Sequence, residues 1–272
     1  MANTLSHEVD LVLFMGQSNM AGRGTAEDAP AVPPGAAYEF RAISDPTKLY
    51  HLAEPFGAHE NNEASGIAEM TKTGSMVSAF AIEYHRLAGR PVVGVSCSKG
   101  GTSINRWQPN GTFLRDAIAR YRSASDWLTG NGFVVRNRFM VWCQGETDGD
   151  RGMTKAEYAE KLKALIDAMI EEGLETCYVV RIGNHRDRAS LYNDIIDAQT
   201  ELCKTYKHAV LVSTKFASMA ADGLMKDEFH YVQKAYNIVG AEAGMNAAFH
   251  VLTGKEPSLY DPKTQSIYLP NK

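Results

Sequence analysis

Short apolar runs rich in β-branched residues recur along the chain, each of strand length, with amphipathic stretches between them. This alternation restricts the fold more than any other feature. The runs are VDLVLFMG (9–16), RPVVGVSC (90–97), RFMVWCQG (138–145), TCYVVRIG (176–183) and HAVLVST (208–214). Continuous apolar strands separated by helices are what a parallel sheet buried on both faces requires. Helical patterns are expected over 75–87, 113–127, 154–172, 188–206 and 231–251. In the third, Ala156, Ala159, Leu162, Leu165, Ile166 and Met169 fall three and four apart, which makes one buried face. Thr154 with Glu157 three residues on matches a capping box, and Gly173 is a plausible stop.

The expectation is therefore an α/β doubly wound sandwich with a five-stranded parallel sheet. No Pro/Ser/Gly-rich linker divides the alternation, so a single domain over 1–272 is expected. Residues 25–69, rich in Pro, Ala and Gly, break the pattern and read as an excursion bordering a site. The tail, 255–272, is expected to dock as an extended segment without chemistry.

With 272 residues, 44% hydrophobic and 22% charged, the chain can bury a sizeable core. A net charge of -4 is too small to imply a polyanionic partner, so nucleic acid is not expected. Cys97, Cys143, Cys177 and Cys203 form no C-x-x-C pair and read as buried free thiols. The N-terminal MANTLSHEVD lacks the segments of a signal peptide and no apolar stretch spans a bilayer. A cytoplasmic protein without a membrane partner is expected, or a secreted one if a leader was removed.

Ligands of open parallel sheets bind at the carboxyl ends of the strands, and four such ends here are unusual. GQSN places Ser18 after the first run. SKGGTSINRW (98–107) follows the second, QGETDGD (144–150) the third, and DEFHY, with Asp227 and His230, the last. A serine needs a base to attack a carbonyl, and a carboxylate to orient that base. The i, i+3 spacing of Asp227 and His230 puts both on one face of a turn. The order Ser, Asp, His matches a hydrolase triad, but G-x-S-x-G is missing, which argues against the α/β-hydrolase fold. Developing oxyanion charge needs donors. The Ser18 amide, a glycine of the Gly100–Gly101 pair and the Gln144 side chain are the candidates.

The blocks GQSNMAGRG, KGGTSINRW, WCQGETDGD and DEFHYVQKAY together resemble the SGNH (GDSL-like) hydrolase superfamily. The resemblance is closer to its branch of family 6 carbohydrate esterases, acetylxylan esterase-like, and the sialate O-acetylesterase domain. It implies a flavodoxin-like three-layer sandwich, Ser18 as nucleophile, His230 as base, Asp227 as its orienting acid, and the oxyanion donors just named. The glutamine in the third block, where the superfamily at large has asparagine, favours the esterase branch. The resemblance further implies an acetylated carbohydrate substrate, an acetyl-enzyme intermediate, and no cofactor or metal. The rivals are a short-chain lipase or thioesterase of the same fold and a non-catalytic carbohydrate-binding module.

Gln17 and Asn19 flank the nucleophile and are candidates for touching substrate or supporting those that do. Trp107 reads equally as core or as a stacking surface for a sugar. Glu146, with Asp148 and Asp150, has the oxygen-rich look of a cation loop but lacks the full pattern, so Glu146 is read as a supporting residue. His185 is read as structural. No phosphate-binding glycine motif occurs.

Overall fold

The computed structural model describes residues 7–270; residues 1–6 and 271–272, the ends of the span expected as one domain, lie outside the described residues. The elements run β1 (Glu8–Gly16), α1 (Ser18–Ala21), β2 (Ala37–Phe40), β3 (Leu49–His51), α2 (Val77–Ala88), β4 (Val92–Ser98), α3 (Thr112–Gly130) and β5 (Val134–Cys143). They continue α4 (Glu146–Asp150), α5 (Lys155–Glu171), β6 (Thr176–Val180), α6 (Asn193–Thr205), β7 (Ala209–Ser213), α7 (Gln233–Thr253), β8 (Leu259–Asp261) and β9 (Ser266–Tyr268).

The sheet order is β3-β2-β4-β1-β5-β6-β7. Every neighbouring pair is parallel except β2 with β3. The five expected strands are its centre and one edge. Seven strands stand where five were expected, because the excursion over 25–69 contributes β2 and β3 to the other edge.

The apolar residues of β1 divide with the period of a strand. Leu11, Leu13 and Met15 join a core with Trp107, Leu114, Tyr158, Leu162, Leu165 and Ile195, beneath α3, α5 and α6. Val12 and Phe14 point the other way and pack with Val77, Phe80, Tyr84, Tyr236 and Val239 of α2 and α7. The result is an α/β/α sandwich of three layers. Helix α7 comes close enough to α2 that a Cβ at Gly240 or Gly244 would fall 2.2 Å from the Met76 carbonyl oxygen or 2.3 Å from that of Phe80. Thr154 caps α5, its hydroxyl accepting from the Glu157 amide at 3.3 Å.

The tail turns back as the β8–β9 hairpin. Asp261 accepts from the buried Arg181 at 2.6 and 2.5 Å. All four cysteines are buried. No helix among the described residues is long and apolar enough to cross a membrane.

Candidate active site

The parallel register aligns the carboxyl ends of the central strands. Gly16 ends β1 opposite Ser98 of β4 and Cys143 of β5, so the loops that follow all three emerge side by side. Gly16 has φ +141°, and a Cβ there would lie 2.0 Å from the Cys143 carbonyl oxygen. That close approach lets the chain turn sharply into α1, whose first residue is Ser18. The loop after β7 crosses to the same place.

There His230 Nε2 lies 2.9 Å from Ser18 Oγ, and His230 Nδ1 2.9 Å from Asp227 Oδ2. A carboxylate only accepts, so the ring proton sits on Nδ1 and the Nε2 lone pair faces the serine hydroxyl. Asp227 Oδ1 accepts from the backbone amides of Phe229 at 3.0 Å and His230 at 2.7 Å, which fixes the loop around the pair. Burial raises the Asp227 carboxyl, but those two amides and the imidazole outweigh it and hold it below its ordinary value. Burial is also the largest influence on His230, and it wins over Asp227 to lower the imidazole below 6.5. The histidine is therefore neutral at pH 7.

Ser18 opens on a cavity of about 240 Å³ lined by Gln17, Arg23, Gly101, Glu146, Thr147, Asp150, Phe229 and His230. The two glycines of the KGGT block have different duties. The Gly100 amide is taken by Glu69 Oε2 at 2.5 Å, and a Cβ at Gly100 would fall 2.5 Å from the Arg23 guanidinium. Gly101, at φ +67°, lines the cavity, and its amide donates to no group among the described residues. Glu69 also receives Arg23 Nη2 at 3.1 Å. Burial opposes its charge, yet the bonds from Thr71 and Gly100 and the Arg23 charge hold it down to about 2. Glu69, at the end of the excursion, thus pins Arg23 and Gly100 beside Ser18. Nothing in its sequence surroundings marks it.

Gln144 stands apart from the cavity. Its side chain is fully buried, and Nε2 contacts Thr102 O at 2.8 Å, Asp148 Oδ2 at 2.5 Å and Gln17 Oε1 at 3.2 Å. Those acceptors consume an amide with only two hydrogens, and Oε1 accepts from Tyr158 Oη at 3.0 Å. The structure therefore corrects the expectation of an oxyanion donor there, as it does for Gly100.

Trp107 is likewise no stacking surface. It is fully buried, edge-on to Phe113 and Trp142, with its indole N–H given to Thr102 Oγ1 at 3.2 Å. Asp148 holds the KGGT loop through Ser103 Oγ at 2.5 Å and the Ile104 amide at 3.0 Å. Asp150 accepts from Tyr192 Oη at 3.0 Å. Among the described residues no group of three or more His, Cys, Asp or Glu could hold a metal ion.

Asn19 joins three parts of the site. Its Nδ2 donates to Glu146 Oε1 at 2.5 Å and to the Phe229 carbonyl at 3.0 Å, while Oδ1 accepts from Tyr236 Oη at 2.7 Å. The nucleophile turn is thereby tied to α4, α7 and the histidine loop. Glu146 Oε2 has no partner among the described residues, and burial pushes the carboxyl up to about 7. His185 accepts from the amides of Asp187 and Arg188 at 3.1 and 3.2 Å, a loop-holding role.

Known proteins place this geometry. The carbohydrate esterase, sialic acid-specific acetylesterase family model matches residues 8–248. No curated protein matches by sequence. Among solved structures, a protein from Arabidopsis thaliana is similar at TM-score 0.68 and 18% identity, covering 90% of this chain and 98% of its own. NanS is similar at TM-score 0.62 and 12% identity, covering 92% and 99%. A carbohydrate acetylesterase from Xanthomonas citri follows at TM-score 0.56 and 18% identity, covering 93% of this chain and 60% of that one. At these identities the structural matches establish a shared fold. The family match extends over the nucleophile turn, both glycine and glutamine blocks and the histidine loop, and the chain belongs to the sialic acid-specific acetylesterase family of carbohydrate esterases.

Proposed function

We propose that the protein removes O-acetyl groups from a sugar through an acetyl-enzyme on Ser18. The observation that carries this reading is the Ser18–His230–Asp227 relay, with both links at 2.9 Å, opening on a cavity. His230 takes the hydroxyl proton as Ser18 attacks the acetyl carbonyl, and Asp227 stabilises the imidazolium that forms. The amides of Ser18 and Gly101 face the growing oxyanion. Ser18 is the first residue of α1, so its N–H precedes the helix's own hydrogen-bond ladder. His230 then returns the proton to the departing sugar oxygen and activates water against the acetyl-enzyme.

A small cavity walled by Gln17, Arg23, Glu146, Thr147 and Asp150 suits an acetyl group on a polar sugar better than a long acyl chain, which needs an apolar groove. The test is acetate release from acetylated xylo-oligosaccharides and from O-acetyl sialic acid. Ser18→Ala is expected to lower the rate about 10⁴-fold or more with the fold unchanged. Release undiminished in the variant would reject the mechanism, and the preferred substrate names the sugar.

A further inference from the structure

An acyl transfer site with a carbonyl oxygen to stabilise gains most from donors fixed before the reaction begins. Ser18 and Gly101 line the cavity and their amides donate to no group among the described residues, and the side-chain amide that the sequence suggests as a third donor, Gln144, is spent on Asp148 and Thr102. The neighbouring glutamine is arranged in the opposite way. Gln17 Oε1 accepts from the Gly145 amide at 3.3 Å and the Thr147 amide at 3.4 Å, and Gln144 Nε2 lies 3.2 Å away on the same side. These are N–H groups, so only the oxygen end of the amide can face them. The orientation of the Gln17 side chain follows. Its nitrogen points away from these groups, and Gln17 lines the cavity together with Ser18.

Gln17 Nε2 has no acceptor among the described residues, although the residue is only 3% exposed. It is also not one of the buried polar atoms sealed away without a partner, and Gln17 lines the cavity. A nearly buried donor held in place, without an acceptor among the described residues, in the wall of the cavity that Ser18 also lines, fits a group kept for the oxyanion. The backbone on either side is fixed as well, with Gln17 N donating to Cys143 O at 3.0 Å and Gln17 O accepting from Met20 N at 3.0 Å and Ala21 N at 2.9 Å.

We infer that Gln17, rather than Gln144, supplies the side-chain donor of the oxyanion hole, its orientation held by the Gly145 and Thr147 amides. The inference rests on the serine esterase reading. Both acylation and deacylation pass through a tetrahedral oxyanion, so losing the donor acts on turnover and leaves ground-state binding nearly unchanged.

The experiment compares wild type, Gln17→Met and Gln17→Glu on an acetylated chromogenic ester and an acetylated xylo-oligosaccharide at pH 8. Gln17→Met removes the donor without adding charge. Gln17→Glu keeps an oxygen for the Gly145 and Thr147 amides, so it preserves the local scaffold while placing an acceptor where the donor stood. In both, kcat is expected to fall about 10²- to 10³-fold, with KM within about threefold and the thermal unfolding midpoint of Gln17→Glu close to wild type. If Gln17→Met does not fold, Gln17→Glu decides alone. A kcat within tenfold of wild type in Gln17→Glu would overturn the assignment, since Gln144 remains intact in that variant. Wild type inert on both esters would instead reject the esterase reading itself, and this inference with it.

Discussion

His230 is pulled in two directions, and the balance decides when the enzyme can work. Asp227 stabilises the charged ring, but burial outweighs it, so the imidazole loses its proton below 6.5. The neutral form is the competent base, and it dominates above that pKa. The rate of kcat/KM is therefore expected to rise with pH, reach half its plateau below pH 6.5 and be flat above neutrality, as measured in a pH–rate profile. A midpoint above 6.5 would mean that the Asp227 carboxylate governs the ring. The pairing of Asp227 with His230 was legible because it is local: an i, i+3 spacing on one turn leaves little else for the two side chains to meet. The duties of Gln144, Trp107 and Gly100 were not. Residue type shows that an amide, an indole or a bare N–H is present, while its direction is set by folded partners such as Glu69, 31 positions from Gly100, and Thr102, 42 positions from Gln144, or by the core around it.

At the scale of elements, the step from β1 into α1 is what presents Ser18. The turn works only because Gly16, at φ +141°, approaches the Cys143 carbonyl closely enough to exclude a Cβ. Gly16→Ala is expected to lose about 3 kcal/mol or more, from backbone strain combined with a clash against rigid strand backbone. Urea unfolding followed by circular dichroism checks this, and a midpoint equal to wild type would mean that the turn relaxes freely. The five long strands could be read from their apolar runs. β2 and β3 could not, because four and three residues are too short to show a period. They are strands only by virtue of pairing with β4 and with each other.

For the whole molecule, the C-terminal hairpin is joined to the sheet through one buried ion pair. Arg181 is 1% exposed, and its fork meets Asp261 at 2.6 and 2.5 Å. Asp261→Ala leaves the guanidinium buried without its charge partner and is expected to destabilise the protein by about 3–5 kcal/mol. The double variant Arg181→Met, Asp261→Leu is expected to recover most of that loss in the same chemical denaturation experiment. A single variant as stable as wild type would show that the hairpin leaves the sheet at little cost.

The amino-acid sequence by itself determined the alternation of buried strands and amphipathic helices, and it named Ser18, Asp227 and His230. These depend on short-range period and on residue chemistry, which a linear pattern carries. Only the tertiary structure decided that Gly101 lines the cavity, that Glu69 pins Arg23 and Gly100, and that Gln144 is spent on Thr102 and Asp148. A hydrogen bond is directional, and side chains distant in sequence acquire a direction only when the strands that bear them are set in register.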